Sequence, residues 1–336
     1  MDPTTSTAGS DRGGNAVKPL VRRLLPILAV LLVTSACVPL PRRVTAVEPP
    51  RPALTLSQAG AVLTRAGQVL KRTDRDLDAA RLGSVLTGFV LEQTRTSYGL
   101  HEVTGRRDRS PLARFTLRPA RVWSTTATRY PQTALVESGL AGRENARYRA
   151  LHQLVRTDAS SPWLIALALY PEEKVIVRPG SSPDGVTVTP AGTATVAGLR
   201  LDRLSSSLVD ALNKPTSAQA RSFRGQPRRD HFADVDSKGI DEHLTRTLTF
   251  FDRTEAVAFL DPSGGSVALV ALTHLRTDRG KGDWVTSVAP PYNKAYPGYY
   301  REISQAFLDT CLVRLPARGK ADVRACESTA GPVSIS

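Results

Sequence analysis

The sequence predicts an α+β protein made of two helix-then-antiparallel-sheet domains. Three observations carry this. Apolar residues recur at helical spacing at the start of each half, over 55–72 and again over 201–212. Short alternating runs bounded by turn residues follow each helical stretch. Residues 179–194, rich in Gly, Ser, Pro, Thr and Asp, separate the two halves. Helices in a block followed by strands in a block indicate α+β rather than alternating α/β. Domains are expected at 55–178 and 197–336, joined by a linker at 179–196.

In the first half, Leu56, Ala59, Val62, Leu63, Ala66, Val69 and Leu70 share one helix face. Thr55 and Gln58 have capping-box spacing, and Lys71 and Arg72 sit where the helix dipole favours cations. A second helix is expected over 77–94, weakened by Gly83 and Gly88. Phe115 and Leu117 alternate with polar residues, Val122 and Trp123 continue after Pro119, and 133–140 reads as another strand. Residues 147–170 read as a hairpin about 158–162, its first strand half-exposed and its second buried on both faces. Residues 175–177 read as a short edge strand. In the second half, Leu201, Leu204, Leu208, Ala211 and Leu212 define a helix stopped by Asn213-Lys214-Pro215. Residues 216–236 are polar and show no period. A helix is expected over 237–250, with Ile240, Leu244 and Leu248 inward. Two hairpins follow, 256–260 with 266–275, and 309–329 about 316–320.

Residues 18–37 carry the clearest localisation signal. Lys18, Arg22 and Arg23 precede a short apolar core, 24–34, and Ser35-Ala36 stand before Cys37. This is the order of an export signal ending in a cysteine that becomes lipidated. A membrane span needs roughly 20 apolar residues; here Pro26 interrupts the run and Pro39, Pro41, Arg42 and Arg43 end it. Residues 1–36 are therefore expected to be removed as leader and signal peptide, leaving Cys37 as a diacylated first residue on a proline-rich tether, 37–54. The polar lead before Lys18 is expected to be disordered, and Val17 offers an alternative start to Met1.

The formal charge is +14. Removal of residues 1–36 takes away four basic and two acidic residues and leaves +12. On the outer face of a cell membrane such a balance favours anionic lipid, anionic wall polymer or an envelope protein as partner. Nucleic acid is not expected, because the basic residues are interspersed with acidic ones. Of the three cysteines, Cys311 and Cys326 remain as a pair once Cys37 is lipidated, and the oxidising compartment favours a disulfide. A turn centred on Arg318-Gly319 sets Leu315 opposite Asp322, Val313 opposite Arg324 and Cys311 opposite Cys326.

The lipobox, the tether, Trp163 leading a strand, Asp184-Gly185, the helix after it, and Gly264-Gly265 before Val267-Ala-Leu-Val270 together resemble a family of actinobacterial secreted lipoproteins carrying a domain of unknown function. The resemblance implies an envelope location and supplies no catalytic residues. The order of elements in each half is also similar to NTF2-like or cystatin-like domains, a likeness of order alone.

No catalytic residue, cofactor or metal site is expected. Residues 234–242 follow a calcium loop in part, but its fifth and twelfth positions hold Lys238 and Thr245. His231, with Asp230, Asp234, Glu242 and His243, lacks zinc-site spacing. His101, His152 and His274 are isolated. No nucleophile elbow, Ser-x-x-Lys, His-Glu-x-x-His or phosphate-binding glycine loop is present. The candidate binding segment is 284–301, where Trp284, Tyr292, Tyr296, Tyr299 and Tyr300 stand among prolines; half of the 8 tyrosines lie there. The expected role is non-enzymatic binding or scaffolding by a membrane-anchored lipoprotein. The alternative is a small-ligand binder or hydrolase that uses the hollow of a curved sheet.

Overall fold

Strands that are buried residue after residue identify the architecture. An antiparallel sheet normally leaves one face wet. Here β2 (Gln132–Leu140), β9 (Ser266–Gly280) and β10 (Glu302–Leu315) carry long runs with no exposed face. Both faces must therefore be covered. The computed structural model describes residues 51–105, 111–141, 147–176, 178, 195–237, 240, 242–253, 257–260, 265–289 and 292–336. The signal, Cys37 and most of the tether lie outside these residues, as does all of 179–194.

The first half begins with α1 (Leu56–Asp76), capped by the Thr55–Gln58 box in both directions, at 3.3 and 2.9 Å. It buries Ala59, Leu63, Ala66 and Leu70. The helix expected over 77–94 is instead a short 3-10 turn, Ala79–Ser84, followed by α2 (Gly88–Thr104). The break has a cause: Leu86 pairs with Ile165 of the sheet, and Gly88 takes a φ of +51°. Helix α2 then runs ten residues beyond the expected end, and its buried Tyr98 hydroxyl bonds Asp74 at 2.5 Å and Thr73 at 2.9 Å. After the short α3 (Pro111–Arg114), β1 (Leu117–Ser124), β2, β3 (Arg149–Arg156) and β4 (Leu164–Leu169) form a meander in that order. Strand β3, expected to be half-exposed, is largely buried. Val175 lies in a 3-10 turn rather than an edge strand, and Val177 is outside the described residues.

The second half repeats helices before strands. After the small pair β5 (Thr195–Val196) and β6 (Leu199–Arg200) come α4 (Leu204–Asn213), α5 (Ala218–Arg221) and α6 (Pro227–Ser237). The α+β class thus holds, with helices ahead of an antiparallel sheet in each half. Among the described residues the helix expected over 237–250 does not form. Residues 244–252 form β7 (Leu244–Asp252), paired with the far part of β9, while β8 (Val257–Leu260) pairs with its start. Strands β10 and β11 (Asp322–Ile335) close the sheet as β11-β10-β9-β7.

Three apolar clusters order the layers. Ala134, Val136, Leu154 and Ile165 pack under α1 and α2. Leu248, Phe250, Val270, Leu272, Cys311 and Val313 pack under α4 and α6. Between the sheets, Leu135, Leu151, Leu167 and Leu169 meet Leu269, Ala271, Leu308 and Leu312. Residues 50–336 are thus one unit stacked helix, sheet, sheet, helix. Polar ties cross the middle: Gln93 Nε2 donates to the Leu308 carbonyl at 3.1 Å, and the Tyr170 amide donates to Glu327 at 2.9 Å.

Candidate functional site

Strand β9 ends where Gly280 lets the chain fold back on itself. A Cβ at Gly280 would lie 1.8 Å from the Trp284 carbonyl oxygen, so a side chain there is excluded. The Gly280 amide donates to the Arg301 carbonyl at 3.0 Å, and the Lys281 amide donates to that of His243 at 2.9 Å. Thr286 and Tyr300 exchange two backbone bonds of 2.8 Å each, which close the loop at its neck. Val288 is buried and roots it, and Tyr292–Lys294 form a 3-10 turn. The loop is thus an excursion whose ends are tied to the sheet.

Its rings divide into two groups. Trp284 is 53% exposed and Tyr299 77% exposed. The His243 ring lies flat on the indole, 3.7 Å away at 9°. Trp284, His243, Asn293, Tyr296 and Tyr299 line a groove of about 700 Å³. Tyr292 and Tyr300 do not line it. Both are half-buried, and the Tyr300 hydroxyl donates to the Pro297 carbonyl at 2.8 Å, bracing the turn below Tyr299. The segment expected from sequence therefore contributes Trp284, Tyr296 and Tyr299 to the groove. His243 was not foreseen in this role, because it precedes β7 and meets Trp284 only through sheet pairing.

A family model for a domain of unknown function, DUF8094, matches residues 50–330. The chain belongs to this family. The DUF8094 region starts as the proline-rich tether ends and contains both sheets, the groove and the paired cysteines. Comparison with curated proteins and with solved structures returns no match.

Several other polar groups of the DUF8094 region are paired away from the groove. His274 Nδ1 and Asp309 Oδ2 lie 2.7 Å apart, a spacing that in a hydrolase would orient a base. Both side chains are fully buried, and the imidazole is stacked on Phe307 and edged by Phe232. His152 is also fully buried, 3.2 Å from the Tyr170 hydroxyl, and burial pulls its pKa down to about 3. Burial pushes Glu327 up to about 7, against the Tyr170 amide that favours its charged form. Glu137, buried in β2, is held by the Arg178 guanidinium at 2.7 and 2.9 Å. His231 Nε2 lies 2.8 Å from the Val323 carbonyl oxygen. Asp234 and Asp236 lie on α6, while Lys238, Gly239 and Asp241 of the calcium-like stretch are outside the described residues. Among the described residues no group of three or more metal-ligating side chains gathers.

Cys311 and Cys326 are directly opposed and bonded, with Cα atoms 4.1 Å apart. The pairing nearer the turn differs from expectation: Val313 faces Val323 and Arg314 faces Asp322. A bulge at Leu312/Val313 takes up Arg324 as the extra residue and restores the cysteine register. Among the described residues no helix is long and apolar enough to cross a membrane.

Proposed function

We propose that this protein is an actinobacterial envelope lipoprotein, exported through residues 1–36 and held on the outer face of the cell membrane by diacylated Cys37. Its role is non-enzymatic binding through the groove of the 284–301 loop. The observation that carries the anchoring is the ordered signal, Lys18, Arg22 and Arg23, then the apolar core, then Ser35-Ala36-Cys37. The proline-rich tether that follows is semi-rigid and holds the folded region off the bilayer. The disulfide between Cys311 and Cys326 fits an oxidising compartment. The groove supports binding because its rings are exposed while the loop beneath them is hydrogen-bonded at its neck.

Replacing Cys37 with Ala tests the anchor. The variant is expected to leave the membrane fraction or to stay unprocessed, and to take up no fatty-acid label. A Cys37→Ala protein that is processed and membrane-bound like the parent would overturn the proposal.

A further inference from the structure

The ligand class follows from what the groove lacks as much as from what it holds. None of its thirteen described lining residues is Asp, Glu, Lys or Arg, although the chain as a whole carries +14. Of the cations beside it, Lys294 is exposed and does not line the groove, and three others have partners outside it. Arg279 pairs with Glu302, Lys281 Nζ donates to the Glu242 carbonyl at 2.7 Å, and Arg301 lies 4.0 Å from Asp283. An anionic polymer would find no fixed positive charge inside the groove. What it does find is one stacked aromatic plate, His243 on Trp284, two further phenol rings at Tyr296 and Tyr299, and neutral hydrogen-bonding groups on Asn293, Ser287 and Thr286.

That combination suits a ligand with apolar faces and a rim of neutral hydroxyls. A pyranose ring has both: its axial C–H bonds rest on an aromatic face, and its equatorial hydroxyls exchange bonds with amides and hydroxyls. The groove volume of about 700 Å³ lies within the roughly 300–1,000 Å³ of ligand sites. A site for a free small sugar would enclose most of it, as small-ligand pockets bury about 70–90% of their ligand. Here Tyr299 is 77% exposed and Trp284 53% exposed, so the site lies open along its rim. An open aromatic groove takes a section of a longer chain.

We infer that the groove of His243, Trp284, Asn293, Tyr296 and Tyr299 binds a neutral polysaccharide chain by stacking its sugar rings on Trp284 and Tyr299. This rests on the binding role proposed above and names its ligand class. Backbone bonds at the neck already hold Trp284 and Tyr300 beside the sheet, which lowers the ordering cost of stacking on the rings there.

The test uses the exported region with its disulfide intact and a panel of neutral polysaccharides, namely dextran, mannan, galactan and arabinan, with dextran sulfate as the anionic probe. At least one neutral polymer is expected to bind, with affinity nearly constant between low and high salt and with weak competition from free monosaccharides. Trp284→Ala and Tyr299→Ala should each weaken binding by about ten-fold with the melting temperature unchanged. Trp284→Phe keeps a ring and should retain part of the affinity, which guards against a Trp284→Ala protein that misfolds. The inference is overturned if no neutral polymer binds, if binding survives Trp284→Ala, or if only dextran sulfate binds and salt abolishes it. A photo-crosslinker placed at position 285, an exposed lining position outside the stacking pair, separates this from the broader reading in cells. A protein adduct overturns the polysaccharide and keeps a binding role, whereas no adduct together with no polymer binding removes both. Membrane fractionation of the same variants leaves the Cys37 anchor independently judged.

Discussion

Replacing Glu327 with Gln should leave stability nearly unchanged at low pH and raise it near neutral pH. Glu327 sits on β11 with its carboxylate accepting the Tyr170 amide at 2.9 Å, and burial raises its pKa from 4.5 to about 7. Between those values the folded state keeps a proton that the unfolded state has released. Stability conferred by this group is therefore greatest below pH 4.5 and is lost as pH rises toward 7. The shift corresponds to about 3 kcal/mol over that window. His152 acts in the opposite sense. Its pKa falls from 6.5 to about 3, so its stabilisation is present above pH 6.5 and is lost as pH falls toward 3. The windows overlap between about pH 4.5 and 6.5, where one slope offsets the other. Gln keeps an acceptor for the Tyr170 amide and removes only the titration. Urea unfolding of parent and Glu327→Gln protein at pH 4.5 and pH 7.5 gives the double difference, in which all shared groups cancel. The variant should gain about 3 kcal/mol relative to the parent on going from the lower to the higher pH. Parallel stability profiles for the two proteins would refute the assignment of a raised carboxyl pKa at the junction of the sheets.

Two further outcomes follow from covalent and steric features. Reduction of the Cys311–Cys326 bond, or a double Cys→Ala change, should lower stability to unfolding by about 3 kcal/mol, because the bridge closes a loop of 15 residues; thiol labelling of the unreduced, denatured protein should find both positions blocked. Gly280→Ala should cost about 3 kcal/mol or displace the 281–285 segment, since its Cβ would strike the Trp284 carbonyl. In the second case the stacking of His243 on Trp284 should be lost, read as a change in Trp284 fluorescence, without loss of the fold.

The elements that were legible are those in which one pattern dominates. Thr55 and Gln58 mark a helix start that chemistry alone fixes, and Cys311 and Cys326 find each other because a turn lies midway between them. Even there the pairing near the turn slipped by one residue, since a bulge leaves no mark in composition. Residues 244–252 show the ambiguity at its sharpest. Ile240, Leu244 and Leu248 satisfy a helical period, while Leu244, Arg246, Leu248 and Phe250 satisfy the period of a strand. The β-branched Thr245, Thr247 and Thr249 between them decide for the strand. Helix α6 escaped notice because only Pro227 and Phe232 are buried on it, too few to make a stripe; Pro227 at its first position was the remaining signal. The partnership of His243 with Trp284 spans 41 positions and depends on the β7–β9 pairing, so no local pattern could announce it.

The layering explains why the exposed aromatics gather where they do. A side chain in the middle of β2, β9 or β10 faces either a helix layer or the other sheet, and its surface is consumed by packing. Exposed rings are left at the edge of the sheet, as Phe251 on β7, or on a segment that leaves the sheet yet stays bonded to it. The 284–301 loop is of the second kind through the Gly280–Arg301 and Thr286–Tyr300 backbone bonds. Exposing Trp284 and Tyr299 forgoes apolar burial of roughly 2 kcal/mol each. Polar residues at both positions would avoid that loss without disturbing the neck of the loop. The ligand proposed for the groove would recover that cost by stacking on the rings, whereas Leu56 and Val103, exposed singly on the helices, offer no such stack.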